Sequence, residues 1–164
     1  MHRRAAQRDD VRAILDGIRH VVRVLRVSAR AAEHRVGVSG AQLYVLHQLA
    51  ERPATSLNAL AARTHTHQSS VSVVVARLVR RGLVERRVSA ADGRRIELAL
   101  TAAGRRLVRR APAAAQERLV VALRRLPAAD RARLAVGLSR LVRSLGVAGR
   151  TPGMFFEEGP DGSA

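Results

Sequence analysis

The stretch THTHQSSVSVVVARLVRRG, residues 64–82, decides the fold of this chain. Four of its apolar residues recur at the spacing of one helix face, so that face can pack inward. These residues are Val71, Val74, Val75 and Leu78. The stretch therefore predicts a helix with a polar start, an apolar rear face and a basic end, which Gly82 terminates.

The other sides of this helix carry small polar groups, one further valine and one arginine. The residues concerned are Thr66, Gln68, Ser69, Ser70, Ser72, Val73 and Arg77. Hydroxyl and amide groups suit base edges and phosphates, a valine suits a thymine methyl group, and an arginine suits phosphate. Polar residues at a helix start are also common as caps, so this helix alone leaves DNA contact and simple capping equally open.

The residues before this stretch predict two shorter helices. Ser39 begins a helix that extends to about Glu51 and stops before Pro53, and a compact helix follows over 58–63 with Asn58 as its cap. A break then leads into the helix described above. Two short helices joined by a tight turn, the second presenting small polar residues, form the helix-turn-helix pattern.

The residues after the stretch predict a β-hairpin. Two segments with strand character, 83–88 and 95–100, flank a turn that ends in Asp92-Gly93. Ile96, Leu98 and Leu100 are expected to face inward, and Arg95, Glu97 and Ala99 outward. Arg94 and Arg95 lie at the hairpin tip, where a guanidinium can enter a minor groove. A hairpin directly after a helix-turn-helix is the arrangement of a winged helix.

The first part of the chain predicts a long amphipathic helix over 10–34, with Asp9 or Asp10 as its cap and Gly37 as its stop. Its apolar stripe consists of Val11, Ile14, Leu15, Ile18, Val21, Val22 and Leu25. A winged helix is too small to hide this stripe, and burying each such side chain is worth about 1.5–3 kcal/mol. The simplest partner is a second copy. We therefore expect a homodimer, whose two-fold symmetry predicts a palindromic DNA site.

The last third predicts further helices. Thr101 caps one that Pro112 kinks or divides, and the final helix carries a leucine stripe. The stripe consists of Leu134, Leu138, Leu141 and Leu145. The tail over 148–164 is acidic and rich in Gly and Pro, and we expect it to be flexible, although Met154, Phe155 and Phe156 are able to dock on an apolar groove.

The charge of the chain is strongly positive, at +17, and every basic residue is arginine. Such a chain favours polyanions, nucleic acid first and an anionic membrane second. Residues 101–150 hold twelve arginines against two acids. This excess is explained by extra DNA contact, by screening from the acidic tail in the free protein, or by GC-rich coding sequence alone.

Several classes of function are not supported by the sequence. Cysteine is absent, which excludes disulfides and thiolate metal sites. The six histidines lack the spacing of a zinc site, so we expect no metal and no cofactor. No phosphate-binding loop or nucleophile motif is present, so we expect no enzyme. No apolar run approaches the roughly 20 residues that cross a bilayer, and we expect a soluble, cytoplasmic protein without a membrane partner.

Two runs carry a family resemblance: DGRRIELALTAAG, residues 92–104, and GLVER, residues 82–86. The first matches the wing pattern of Asp, any residue and Arg, then an alternating strand and Leu-Thr-x-x-Gly. With the helix order on either side, the chain resembles the MarR family of winged helix-turn-helix transcriptional regulators over roughly residues 10–146.

The resemblance implies a triangular homodimer on double-stranded DNA, in which the terminal helices interlock as a base. Each recognition helix would enter a major groove and each wing tip a minor groove. By position, Arg94 would be the minor-groove arginine, and Asp92 would hold it by charge pairing. Val73 departs from the polar or basic residue of many relatives, so base recognition there would depend more on methyl contact.

Relatives often bind a small aromatic or anionic effector in the crevice between the base and the winged helix. The candidates here for such a ligand-binding site are Arg19, His20, Arg23, Tyr44 and His47. An arginine on a helix is more often a solvated side chain than a ligand contact. The resemblance thus implies a transcription regulator, most simply a repressor released by a ligand.

The predicted fold is mainly α with a small β-hairpin wing: a winged helix-turn-helix over 36–100 and a helical dimerisation region over 1–35 and 101–147. The alternative function is an architectural protein that binds chromosomal DNA with low specificity. A third is an interaction module that has lost DNA binding, which the arginines at 77, 94 and 95 disfavour. Preference for one palindrome over random DNA separates the first two.

Overall fold

The fold was analysed in a computed structural model that describes residues 2–88, 93 and 96–157. Seven helices and two strands follow one another in this part of the chain. They are α1 His2–Val36, α2 Gly40–Glu51, α3 Leu57–Thr64, α4 Gln68–Arg80, β1 Val84–Val88, β2 Ile96–Leu100, α5 Ala102–Arg110, α6 Ala115–Arg125 and α7 Ala128–Ser144. The mainly helical fold with a β-hairpin after α4 confirms the predicted fold class.

The core lies between α2, α3, α4 and the hairpin. Leu46, Leu60 and Leu78 come from three different helices, and all three are completely buried. The predicted inward face of α4 is confirmed, because its four apolar residues are at most 2% exposed. Aliphatic burial of this kind stabilises the winged helix by about 1.5–3 kcal/mol per side chain, so this core fixes the direction in which α4 faces.

The hairpin is antiparallel, with Val84 opposite Leu100. Ala54, in the loop after α2, pairs with Leu98 through two backbone hydrogen bonds of 2.9 and 2.7 Å, so β2 has a hydrogen-bonded neighbour on each edge. The expectation that Glu97 and Ala99 face outward was wrong, since they are 8% and 2% exposed. The burial of Glu97 is tolerated because Arg87 Nε donates to its carboxylate at 3.0 Å.

The helix caps were predicted in part. The predicted start at Ser39 is confirmed, and Ser39 and Gln42 form a reciprocal capping box. The cap of α3 is Ser56, whose Oγ accepts from the Ala59 amide at 3.0 Å, and not Asn58, which lies inside the first turn. The first helix begins at His2 rather than at an aspartate cap, because no glycine or proline interrupts the residues before Asp9.

Pro112 divides the helices of the last third, which settles whether it kinks or divides them. The first of them, α5, starts at the predicted cap Thr101 and ends at Arg110, and α6 begins at Ala115. The Oγ of Ser28 on α1 accepts a hydrogen bond from the Ala115 amide at 3.1 Å. A side chain of α1 therefore caps α6, which fixes these two helices together.

The apolar stripes of α1 and α7 lie on the surface. On α1, six of the seven stripe residues are 37–57% exposed, the exception being the buried Leu25. All residues of α7 are exposed; its three stripe leucines are 39–47% exposed, and Leu145, directly after the helix, is 66% exposed. Apolar surface of this extent is unusual for a monomer and marks an interaction face.

The segment after α7 differs in part from the expected flexible tail. Met154 is only 5% exposed and belongs to the core, and Phe156 is half-buried. These side chains pack in an apolar groove beside α2. The free energy gained by their burial outweighs the flexibility that Gly and Pro give the segment. The remaining acidic tail, 158–164, lies outside the described residues.

Candidate nucleic-acid interface

The position of α4 is set by the turn that precedes it. His65 adopts a left-handed conformation, with φ of 53°, and reverses the chain between α3 and α4. The hydroxyl groups of Thr64 and Thr66 lie 2.7 Å apart and close the turn from inside. His67 then stands at the start of α4, and Gly82, with φ of 65°, ends the segment. Thr66 is thus half-buried and hydrogen-bonded within the turn.

The outward face of α4 is polar at its start and basic at its end. Gln68, Ser69 and Arg80 are exposed, and Val73 at the centre of this face is 45% exposed. Ser72 and Arg77 are half-buried on opposite flanks. This face has the length, the small side chains and the donors and acceptors that fit a major groove. Arg80, which was not among the predicted residues, extends the same face. Its helical spacing from Ser69, Val73 and Ala76 could have identified it.

Ser70 lies elsewhere. Its side chain is 8% exposed, and its Oγ donates to the carbonyl oxygen of Pro152 at 3.0 Å. The sequence analysis placed this hydroxyl on the side that contacts DNA. In the structure it is directed towards the C-terminal segment, because that segment packs along this flank of α4.

The wing is described only in its two strands. Asp92, Arg94 and Arg95, the predicted tip residues, lie outside the described residues. On β1, Arg86 and Arg87 are exposed, and Arg87 is paired with Glu97. The charges of the two described strands balance, since Arg86 and Arg87 are matched by Glu85 and Glu97.

A polar cavity of about 440 Å³ lies between α2, α3 and α6. Its lining residues are Tyr44, Gln48, Glu51, Arg52, Arg63, Glu117, Val120, Val121 and Arg124. Beside it, His47 Nδ1 lies 3.1 Å from Oε1 of Glu117, and Arg124 contacts the His65 ring at 3.0 Å. The cavity is thus bounded by contacts that join the helix-turn-helix to α6.

Arg63 is the cation with unused donors in this cavity. Its Nη1 donates to the Arg52 carbonyl oxygen at 2.9 Å, while its buried Nε and Nη2 have no partner among the described residues. Burial lowers the pKa of Arg63, and the charge of Arg52 lowers it further. Buried donors without partners are costly, and both atoms are closed to solvent in this structure, so an anion in the cavity would pair with them only after the Arg63 side chain turns towards it.

The five ligand candidates are divided between two places. Tyr44 lines the cavity, and His47 contacts its wall at Glu117. Arg19, His20 and Arg23 are exposed on α1, where Arg19 and His20 both bond to Asp16. The structure therefore brings two candidates together. Arg63 and Arg124 were not among the predicted residues, because they lie 61 positions apart and nothing local shows that they share a cavity.

The segment from the end of α1 to the hairpin matches a known family, since residues 36–95 match the family model of the MarR family. Over these residues the chain is similar to the MarR family. Among solved structures, a probable transcriptional regulator from Pseudomonas aeruginosa is 30% identical to this chain, with 73% of this chain and 91% of that chain covered and a TM-score of 0.47. Among curated proteins, none matches.

Two further solved structures show the same fold. A MarR/EmrR family transcriptional regulator from Acinetobacter sp. ADP1 has a TM-score of 0.55 at 20% identity, with 84% of this chain and 96% of that chain covered. The transcriptional regulator BldR from Sulfolobus solfataricus has a TM-score of 0.51 at 21% identity, with 83% and 96% covered. The protein thus shares the overall fold of these two transcriptional regulators.

The MarR-family match places the family segment on α2, α3, α4 and the start of the hairpin, which together form the winged helix. In the described part of the chain, no helix is both long enough and apolar enough to span a membrane. Within the same residues, no three His, Asp or Glu side chains are grouped so as to hold a metal ion. The outward face of α4 and the cavity between α2, α3 and α6 are the two candidate functional sites of the described residues.

Proposed function

We propose that this protein is a homodimeric repressor that binds a palindromic operator and leaves it when a small anionic ligand binds. The observation that carries the proposal is the two-sided character of α4. Its apolar face is locked in the core, while Gln68, Ser69 and Val73 face outward. A helix held this way presents one fixed set of side chains to a groove, which is what recognition of a base sequence requires.

The contacts with DNA divide into two kinds. Exposed Ser69 and Val73 would contact base edges, with the valine against a thymine methyl group, and these contacts give sequence preference. Arg77 and Arg80 would contact phosphates. The wing-tip arginines Arg94 and Arg95 would contact the minor groove, with Asp92 holding Arg94 by charge pairing. Thr66, Gln68 and Ser72 flank the base-contacting pair. Ser70 would act indirectly, from the flank of α4, through its hydrogen bond to the C-terminal segment.

The dimer would form through the exposed stripes of α1 and α7. Both stripes belong to the terminal helices, and neither is covered by the described part of the same chain. Burial against a second copy removes this apolar surface from water, at about 25 cal/mol per Å². Two-fold symmetry then sets two α4 helices one turn of DNA apart, on the two halves of a palindrome.

The effector site would be the cavity between α2, α3 and α6. Its volume of about 440 Å³ falls in the range of small-molecule sites. Arg63 supplies unused donors, Arg124 a second positive charge, and Tyr44 an aromatic wall, which together suit a small aromatic carboxylate. The cavity separates the helix-turn-helix from α6, so a ligand that favours a wider cavity would shift the population towards dimers with differently spaced α4 helices.

The experiment that tests this function is selection of bound fragments from random duplexes by the full chain. A repressor should enrich one symmetric sequence and bind it at least about 10³-fold more tightly than random DNA. Enrichment without a consensus would contradict the proposal and favour the architectural alternative. That alternative has one observation in its favour, the exposed arginines 105, 106, 109 and 110 on α5. Their neutralisation should reduce the salt dependence of binding if they contact phosphates.

Effector binding is testable with the same protein, because Tyr44 is the single tyrosine and tryptophan is absent. Tyrosine fluorescence therefore reports on the cavity wall alone. Titration with benzoate-type aromatic carboxylates should change this fluorescence and lower affinity for the selected duplex. The variant Arg63→Met should weaken both effects about tenfold or more, whereas Arg118→Met, on the side of α6 that faces α1 and outside this cavity, should leave them unchanged. Equal responses of the two variants would remove Arg63 from the site.

A further inference from the structure

Residues beyond α7 also have a defined structure. Residues 152–157, here called the C-terminal strap, return to the winged helix. The carbonyl oxygen of Pro152 accepts the hydroxyl of Ser70 on α4 at 3.0 Å. The carbonyl oxygen of Phe155 accepts Nε2 of Gln116 on α6 at 3.3 Å. One short segment thus bonds the recognition helix and the helix that leads into the dimerisation region.

The strap is anchored by two apolar side chains. Met154 is 5% exposed and belongs to the same core as α2, α3 and α4. Phe156 lies against the start of α2, where a Cβ added at Gly40 would be 3.6 Å from the Phe156 Cβ. The crevice beside Phe156, between α1, α2 and the start of α6, has only about 10 Å³ left. The aromatic ring therefore closes the junction of these three helices.

The strap also has an ordered local structure. Its Met154 amide donates to Oε2 of Glu157 at 3.2 Å, and the Glu157 amide donates back to the Met154 carbonyl oxygen at 3.2 Å. These two bonds form a closed turn that holds the two anchor side chains on one side. Side chains presented by a closed turn lose less conformational entropy on docking than those of an open chain.

The strap lies on a flank of α4 and leaves its outward face open. Ser69 and Val73 remain exposed while the neighbouring Ser70 is buried by the strap. The strap therefore does not compete with DNA for the recognition face. Its contacts instead connect the winged helix, through α4 and α2, with α6 of the dimerisation region.

We propose that the strap is a positioning element that sets the angle between the winged helix and the dimer base, with Met154 and Phe156 as its positioning residues. Further along α2 and α6, the same two parts are joined by the polar contacts His47–Glu117 and His65–Arg124. Ala32 of α1 and Leu107 of α5 also pack against the winged-helix core, so loss of the strap anchors should widen the range of angles without separating the two parts. The strap thereby restricts the distance between the two α4 helices of the dimer; this role rests on the proposed dimer.

The test uses the absence of cysteine, which lets a single Ser69→Cys substitution carry a spin label on the outward face of α4. The distance between the two labels of a dimer is measured by double electron–electron resonance in the full chain. Phe156→Ala and Met154→Ser should each broaden the distance distribution at least about twofold. Phe155→Ala, which truncates the exposed neighbour in the same segment, is the matched control and should leave it unchanged.

A second measurement separates positioning from simple loss of stability. With the selected operator, insertion of one base pair between half-sites should weaken binding by the full chain about tenfold, and by Phe156→Ala less than threefold. Thermal unfolding shows whether each variant is folded. If Met154→Ser is unfolded, the test depends on the milder substitution, Phe156→Ala. A dimer with unchanged distances and unchanged spacing preference would overturn the role of the strap alone. A monomeric mass for the full chain would overturn the proposed function and this role with it.

Discussion

The phenol of Tyr44 is placed where its ionisation is unfavourable. Burial raises its pKa, and the negative charge of Glu117 raises it further, against a smaller opposing effect of Arg124. We expect the phenol to ionise at a higher pH in the folded protein than in denaturant, as measured by ultraviolet difference absorbance. The unfolded chain releases the proton first, near pH 10, so the stabilisation is complete below that pH and is lost as pH rises through the folded pKa.

The charge contribution to this shift has its own control. Glu117→Gln keeps the shape of the wall and removes the negative charge that faces Tyr44, so the folded pKa of the phenol should fall towards its ordinary value. A folded midpoint equal to that in denaturant would show that Tyr44 is not desolvated, and the cavity would then be open to water at that wall.

Gly104 is a second residue whose surroundings make a definite prediction. A Cβ at this position would lie 2.1 Å from the carbonyl oxygen of Leu83, which also accepts the Thr101 amide at 3.1 Å. Gly104→Ala should therefore push α5 away from the hairpin and destabilise the protein by about 2 kcal/mol or more, measured by denaturant unfolding. The matched control is Gly17→Ala on α1, where no atom lies within 4 Å of the new methyl group. It should stabilise by up to about 1 kcal/mol, because alanine is the better helix former.

At the scale of the element, α4 separates sequence recognition from general affinity. Val73→Ser should weaken binding to the selected operator by about 1 kcal/mol or more, because the methyl contact with a thymine is lost. Binding to random DNA should not change, since it depends on phosphate contacts. Val147→Ser is the control at nearly equal exposure, 44% against 45%, and should change neither affinity. An equal loss on both kinds of DNA would mean that Val73 does not contact a base.

The elements themselves could be predicted where their signals are local. The inward face of α4 and the cap at Ser39 each depend on residues within one turn of one another, whereas Pro112 left a kink and a division equally open. The burial of Glu97 could not be predicted from its alternating strand, because it depends on a guanidinium ten positions earlier and on the Ala54 bridge at the other edge of β2.

The candidate site shows the same limit more strongly. Its outward-facing residues Ser69 and Val73 follow from helical periodicity alone. The burial of Ser70 does not, because it requires Pro152, which lies 82 positions away. Arg63 and Arg124 were likewise missed, since only the arrangement of α2, α3 and α6 in space brings them to one cavity. Contacts between distant segments are decided by the whole core and leave no local pattern.

At the scale of the whole molecule, dimerisation is the property on which DNA binding would depend. Leu138 lies at the centre of the α7 stripe and is 47% exposed in the single chain. Leu138→Glu would place a charge in the proposed interface, and symmetry introduces it twice. Each copy also loses the burial of a leucine, worth about 1.5–3 kcal/mol. We expect a monomer at micromolar concentrations by light scattering, and a loss of operator affinity of about 100-fold or more, because one half-site must then bind alone.

The adjacent Ser139 provides the control for this variant. Its hydroxyl bonds to the Ala135 carbonyl oxygen at 2.8 Å within α7, and it lies off the leucine stripe. Ser139→Glu adds the same charge to the same helix, so general effects of charge on this strongly basic chain, including its attraction to DNA, are matched. It should remain dimeric and keep operator affinity within about threefold. If both variants stay dimeric, the interface lies elsewhere than on α7. If Leu138→Glu becomes monomeric and still binds the full palindrome with the original affinity, DNA recognition would not need the symmetric pair of α4 helices.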